Sequence, residues 1–250
     1  MQFGWLNVKG SVSERNSYFN VNENLNLNTI NTNEVAPSWK DTSEWKLLKE
    51  VFTRDQIVIN NAAKNAGISP RLILGGVMGE QLRFFSNRRE SFKNYFEPMK
   101  VLATLSKFSF GIAGLKPQTV SLIDAHLKDS KSVFYLGSGM EHVTDYKDGV
   151  NIDSEIMNRI TNVKDPYYSY LYVGLFMRQV IAQWQKAGYD ISNRPEVITT
   201  LYNLGFNRSI PKADARAGGA VINVGGKEYT FGDLGYEFYY SDELLDIFPR

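Results

Sequence analysis

The chain has 250 residues, a formal net charge of +1, 43% hydrophobic residues and no cysteine. That length supports one large core or two small ones, and the absence of thiols excludes disulfides, thiolate metal ligands and a cysteine nucleophile. A charge so near zero argues against a protein held on nucleic acid by bulk electrostatics, no apolar run reaches transmembrane length, and the opening MQFGWLNVKGS lacks the basic head and apolar stretch of a secretory signal.

Residues 1–42 read as an Asn-rich extension. Asparagine favours turns and competes with helix by bonding to its own backbone. The alternation of Phe19, Val21, Leu25, Leu27 and Ile30 suits short strands or a strap, and leaves two readings open: a partner-binding arm or a surface wrap. The main domain is expected over 43–250 and to be mainly α-helical. Ser43 can cap a helix carrying Trp45, Leu47, Leu48, Val51 and Phe52, and a second helix runs from Asp55 to Lys64 and closes at Gly67. Ser69 as N-cap and Pro70 in the first turn open a third helix, in which Leu72, Val77, Met78 and Leu82 form a buried stripe and Glu80 sits near the end. A carboxylate there either points to water or, buried, has its pKa raised and serves as an acid. The basic and aromatic residues beyond it, including Arg88 and Arg89, read as a solvated face or as contacts to an anionic polymer.

After Pro98 a short helix is expected from Met99 to Leu105. It leads into the glycine-containing loop SFGIAGLKPQTV, whose Pro117 opens a helix through Ile123 and Leu127. This is no phosphate loop, since the G-x-x-x-x-G-K-[ST] pattern is absent. The acidic residues Asp145, Asp148, Asp153 and Glu155 do not match an EF-hand. His126 and His142 are too few for a histidine metal cluster, and neither stands near a nucleophile elbow, so no metal, cofactor or Ser-His-Asp triad is expected. Helices follow over Asp153–Ile160, over the aromatic stretch Tyr167–Ala187, whose rings suit core packing with sugar stacking as the alternative, and from Pro195 to Gly205. AVINVGGKEYTF predicts a β-hairpin turning at Gly225 and Gly226, followed by a helical tail over Asp233–Phe248.

Three of these stretches, in this order, resemble one family. GISPRLILGGVMGEQLRF is similar to the helix of lysozyme-like proteins that ends in the catalytic glutamate. SFGIAGLKPQTV is similar to their S-x-G-[LI]-x-Q-[ILV]-x-P-x-T-A loop, and ITTLYNLGFNRS to their A-x-Y-N-x-G motif. The branch resembled is that of soluble lytic transglycosylases and goose-type lysozymes, over roughly residues 50 to 208. The resemblance implies a lysozyme-like fold and a muramidase that cuts the β-1,4 bond between N-acetylmuramic acid and N-acetylglucosamine in peptidoglycan strands. Glu80 would be its single acid and base. Gln81, Ser109, Gly111, Ile112, Tyr202 and Asn203 would bind substrate or support the site, with Tyr202 orienting the acid. It also implies action at the bacterial wall, in the periplasm or outside the cell. With no signal visible, the routes are injection, phage release or trimming of a leader, and a delivered effector would have an immunity or delivery protein as partner.

Two departures stand out. Gln81 follows Glu80 where the family commonly has Ser, and Gly114 takes the place of the loop's usual Gln. They imply altered specificity or a non-catalytic relative. The readings carried forward are therefore cleavage of peptidoglycan, an inert glycan-binding or structural module of the same fold, and a chitin-directed glycosidase. A second carboxylate is not evident: Glu90, Glu97, Asp165 and Glu237 each lack a distinguishing context.

Overall fold

The computed structural model describes the backbone of residues 38–92 and 111–250, and the side chains of 38–86 and 111–250. The extension up to residue 37, the helix expected over Met99–Leu105 and Ser109 lie outside the described residues. Among the described residues the chain forms α1 (Ser43–Arg54), α2 (Gln56–Ala66), α3 (Pro70–Phe92), α4 (Pro117–Lys128), α5 (Ile152–Thr161), α6 (Tyr167–Lys186), α7 (Pro195–Leu204), β1 (Val221–Val224), β2 (Lys227–Thr230) and α8 (Phe231–Tyr240). The expected class, mainly α with a small hairpin near the C-terminus, is what forms. No helix of the described residues is long and apolar enough to cross a membrane.

The packed body begins ahead of residue 43. A single turn of 3-10 helix, Trp39–Asp41, buries Trp39 edge-on against Trp45, with ring centroids 4.9 Å apart. Thr42 then caps α1 by accepting a hydrogen bond from the Trp45 amide. α6 is the central element. Its run from Tyr170 to Met177 is buried throughout, as expected for a helix that is apolar on every side. Gly174 brings α6 onto α2, since a Cβ built there would lie 2.7 Å from the Ala66 methyl. Tyr170 donates to buried Asp55, the joint between α1 and α2, which Arg54 also clasps. The tyrosines and Trp184 of α6 thus belong largely to the core, with Tyr167 and Tyr168 half-buried.

The strands pair antiparallel from Val221 with Thr230 to Val224 with Lys227. The two-residue turn between them has Gly225 at φ 62° and Gly226 at φ 88°, the left-handed pair that suits a tight hairpin. α8 begins two residues before the expected Asp233 because Thr230 and Asp233 form a reciprocal capping box. It stops at Tyr240, well short of Phe248. There the guanidinium of Arg71, a fully buried residue on α3, donates to the main-chain carbonyls of Phe238, Tyr239, Ser241, Glu243 and Phe248. Ser241 and Arg250 share in satisfying the Phe238, Tyr239 and Ser241 carbonyls at the helix end. Ser241 caps the helix by bonding the Phe238 carbonyl, and the Arg71 contacts hold the tail against α3.

Candidate active site

Glu80 lies where α3 leaves the core. Residues 71–79 are buried without interruption, and the Glu80 side chain keeps 11% exposure. Small residues on α3 set its depth. A Cβ on Gly79 would meet the Phe231 ring at 2.5 Å, and one on Gly76 would meet Met177 at 2.7 Å and Tyr202 at 3.2 Å. Without side chains at these positions, α3 settles directly against α7 and α8. Glu80 is thereby brought beside Tyr202 and Asn203.

The loop at 111–116 closes over the carboxyl. Gly111, at φ +61°, backs so closely on the Ile160 carbonyl that a Cβ would fall 1.7 Å from its oxygen. Two buried side chains then hold successive carbonyls of the loop: Gln81 Nε2 donates to Ile112 O at 2.6 Å, and Tyr202 Oη donates to Ala113 O at 2.6 Å. So held, the loop lays Gly114 against Glu80. Gly114 has φ +64°, and a Cβ there would lie 2.9 Å from Glu80 Oε2. A side chain at this position, where the loop lacks its usual polar residue, would press on the Glu80 carboxyl, and one of the two would have to shift.

These contacts revise several expected roles. Gln81 was expected among the substrate-binding groups; at 3% exposure it is a clamp on the loop. Ile112 is likewise buried, and Gly111 is wedged against α5 rather than lining open space. The Tyr202 hydroxyl bonds the Ala113 carbonyl and not the acid, so it acts on Glu80 through the loop. Asn203 accepts from the Ala220 amide at 2.9 Å, and its side chain also hydrogen-bonds Glu80.

Burial raises the Glu80 pKa above the ordinary carboxylate value. The charge and hydrogen bond of Arg83, the bond from Asn203 and the charge of Lys116 oppose that shift without cancelling it. Arg83 pairs directly with Glu80 Oε2 while remaining 42% exposed. The Tyr202 hydroxyl is held protonated by burial and by the neighbouring Glu80 charge. The result is a carboxyl whose pKa is raised by burial, with a half-exposed cation paired to it.

Other candidate acids are occupied elsewhere. Glu237 accepts from the Trp39 indole at 2.8 Å, and Asp165 accepts from the Tyr167 amide at 3.3 Å. The side chains of Glu90 and Glu97 lie outside the described residues. Asp145 pairs with Lys128 and His142, and Glu155 with Arg159. A second half-buried acid, Asp124, has its pKa raised by burial but is taken up by the Tyr146 and Tyr172 hydroxyls, and burial pushes the Tyr172 phenol up to about 12. Arg159, stacked between the Tyr146 and Tyr168 rings, completes that cluster.

No protein-family model, curated protein or solved structure matches this chain. The site must therefore be read from its own geometry. Sequence reading named Glu80, Tyr202 and Asn203 but missed Arg83 and Lys116. The signal for Arg83 was its spacing three residues beyond Glu80, which puts both on one helix face. Nothing in the sequence signalled that the Ile112 and Ala113 carbonyls would be the fixed points of the loop.

Proposed function

We propose that this protein cleaves the glycan strands of peptidoglycan as a muramidase of the lytic transglycosylase type, with Glu80 as its single acid and base. One observation carries the reading. The three separated stretches that resemble the lysozyme-like family converge on one carboxyl, whose pKa burial raises above the ordinary carboxylate value.

The mechanism follows from that carboxyl. Protonated Glu80 gives its proton to the glycosidic oxygen as the bond to the muramoyl C1 breaks, with the sugar's own N-acetyl group assisting. The resulting carboxylate is stabilised by Arg83 and Asn203. It then takes the proton of the muramoyl C6 hydroxyl as that oxygen closes on C1. The product is a 1,6-anhydro sugar, and Glu80 is protonated again. Gln81 and Tyr202 hold the loop that covers the acid, so the carboxyl keeps its position while its charge changes.

The test is mass spectrometry of soluble products from purified sacculi, wild type beside Glu80→Gln. Anhydro-muropeptides from the wild type, with a rate loss on the order of 10²–10⁴ in the variant, are expected. Full activity in Glu80→Gln removes the assignment of the acid. Reducing-end products replace the transglycosylase with a hydrolase, and products from chitin oligomers but not sacculi replace the substrate.

A further inference from the structure

A groove that none of the residues surrounding Glu80 lines opens between the end of α6, one face of α7 and the segment over 208–216. Its floor is apolar: Val197 and Leu201 are buried, and Leu204 and Ile210 stand exposed beside them at 46% and 69%. Its rim is cationic. Arg208, Lys212 and Arg216 line it, with Asp214 as the acid among them. In a chain of net charge +1 this is a local concentration of positive charge.

The rim cations are free. Among the described residues none of these three side chains makes a hydrogen bond or ion pair, whereas Arg194, nearby in sequence, is engaged by Glu196 and the Ala215 carbonyl. The segment that carries them is fixed in place. Buried Ser209 receives the Trp184 indole at 2.9 Å, and its carbonyl receives Gln183 Nε2 at 2.9 Å. At the far end Ala215 is buried and bound by Arg194, and the Gly218 amide donates to Thr200 Oγ1 at 2.9 Å. The cations are thus presented on a preformed edge, so a ligand need not order the segment on binding.

We propose that this groove docks an acidic segment of a partner protein, one that sets an apolar side chain between carboxylates. Carboxylates would answer Arg208, Lys212 and Arg216, and the apolar side chain would cover Leu204 and Ile210. A polyanion such as nucleic acid or polyphosphate would satisfy the charges but leave that apolar surface in water.

The experiment uses the full chain and fluorescence anisotropy. The probe is a short fluorescein-labelled peptide alternating glutamate with leucine and isoleucine, and polyglutamate of equal charge and inorganic polyphosphate serve as comparators. Saturable binding of the mixed peptide is expected, weakened about tenfold or more by the combined changes Arg208→Ala, Lys212→Ala and Arg216→Ala, and separately by Leu204→Asp. These side chains are exposed and make no internal bonds, so melting temperatures of both variants should stay at the wild-type value; should one variant melt early, the other decides. No binding, equal binding by either variant, or tighter binding of polyglutamate or polyphosphate than of the mixed peptide would overturn the proposal.

Discussion

Helix α3 carries two charged residues into the protein, and they are treated in opposite ways. Arg71 is fully buried and donates to the main-chain carbonyls of Phe238, Tyr239, Ser241, Glu243 and Phe248. Among the described residues no carboxylate pairs with it directly, although the Asp242 charge lies near; the carbonyls at the end of α8 take its hydrogen bonds instead. Glu80 is nearly as deep, but its strongest partner, Arg83, is half in solvent, and burial outweighs the groups that favour its charge. A charge whose hydrogen bonds are all made by the fold is a structural device. A charge left short of partners, at the edge of the core, is one the fold tolerates for another purpose.

The sharpest way to break this comparison is to remove the structural charge. Arg71→Met keeps the length of the side chain and deletes every guanidinium bond from α3 to the tail of α8, leaving the bonds of Arg250 and Ser241 there. The Glu243 and Phe248 carbonyls then lose the guanidinium and the other three keep only part of their bonding, so the loss in unfolding free energy should be on the order of 3–5 kcal/mol. In a body of this size that lowers Tm by about 10 °C or more. Glu80→Gln, by contrast, should leave Tm equal or raise it, because no buried donor depends on Glu80 alone. Thermal and urea denaturation of the two variants side by side checks both. A loss below about 1 kcal/mol in Arg71→Met would mean that water replaces the guanidinium and that the two charges are not so different.

The contrast was only half legible in the sequence. Helical periodicity, the Ser69-Pro70 start and the Gly225-Gly226 turn wrote most of the fold locally, because capping and turn chemistry depend on near neighbours. Glu80 was legible as a carboxyl in an apolar run. Arg71 was not, since its partners lie at residues 238–248 and are backbone oxygens, which no residue type advertises. Gly114 was only half legible for the same reason. Its sequence position implied a missing polar side chain, while its role depends on the Glu80 carboxyl across the fold. Gln81 looked like a departure in the cleft and proves to be a buried clamp, because a side chain's direction follows from helix packing that adjacent sequence does not record.

Gly114→Ala sharpens the comparison at the functional charge. The substitution adds a methyl at φ +64° and drives it to 2.9 Å from Glu80 Oε2. Backbone strain alone costs about 1–2 kcal/mol. Gly149, at φ +77° with no atom within 4 Å of a built Cβ, provides the control, since Gly149→Ala has similar strain and no collision. Both variants should lose comparable stability. Only Gly114→Ala should lose glycan cleavage, by about 10²-fold, because the loop or the acid must move. Equal activity in the two would mean that the loop does not position Glu80.

The smallest effect concerns pH. Burial raises the Glu80 pKa in the folded state, so folded protein holds this proton more tightly than unfolded protein does. Below the ordinary carboxylate value both states are protonated and the group is neutral to stability. Between that value and the raised one the native state binds the extra proton, and wild-type stability falls as pH rises; above the raised value the penalty is constant. Glu80→Gln lacks this titration. Its stability relative to the wild type should therefore climb through that window and then level off, which denaturation at a series of pH values will show. Arg83→Ala removes the charge and hydrogen bond that most oppose the shift. The window should then extend upward, and the alkaline limb of cleavage should move with it to higher pH. If Glu80→Gln and the wild type instead run parallel at every pH, Glu80 titrates as an ordinary surface carboxylate, and the distinction between the two charges of α3 loses its electrostatic basis.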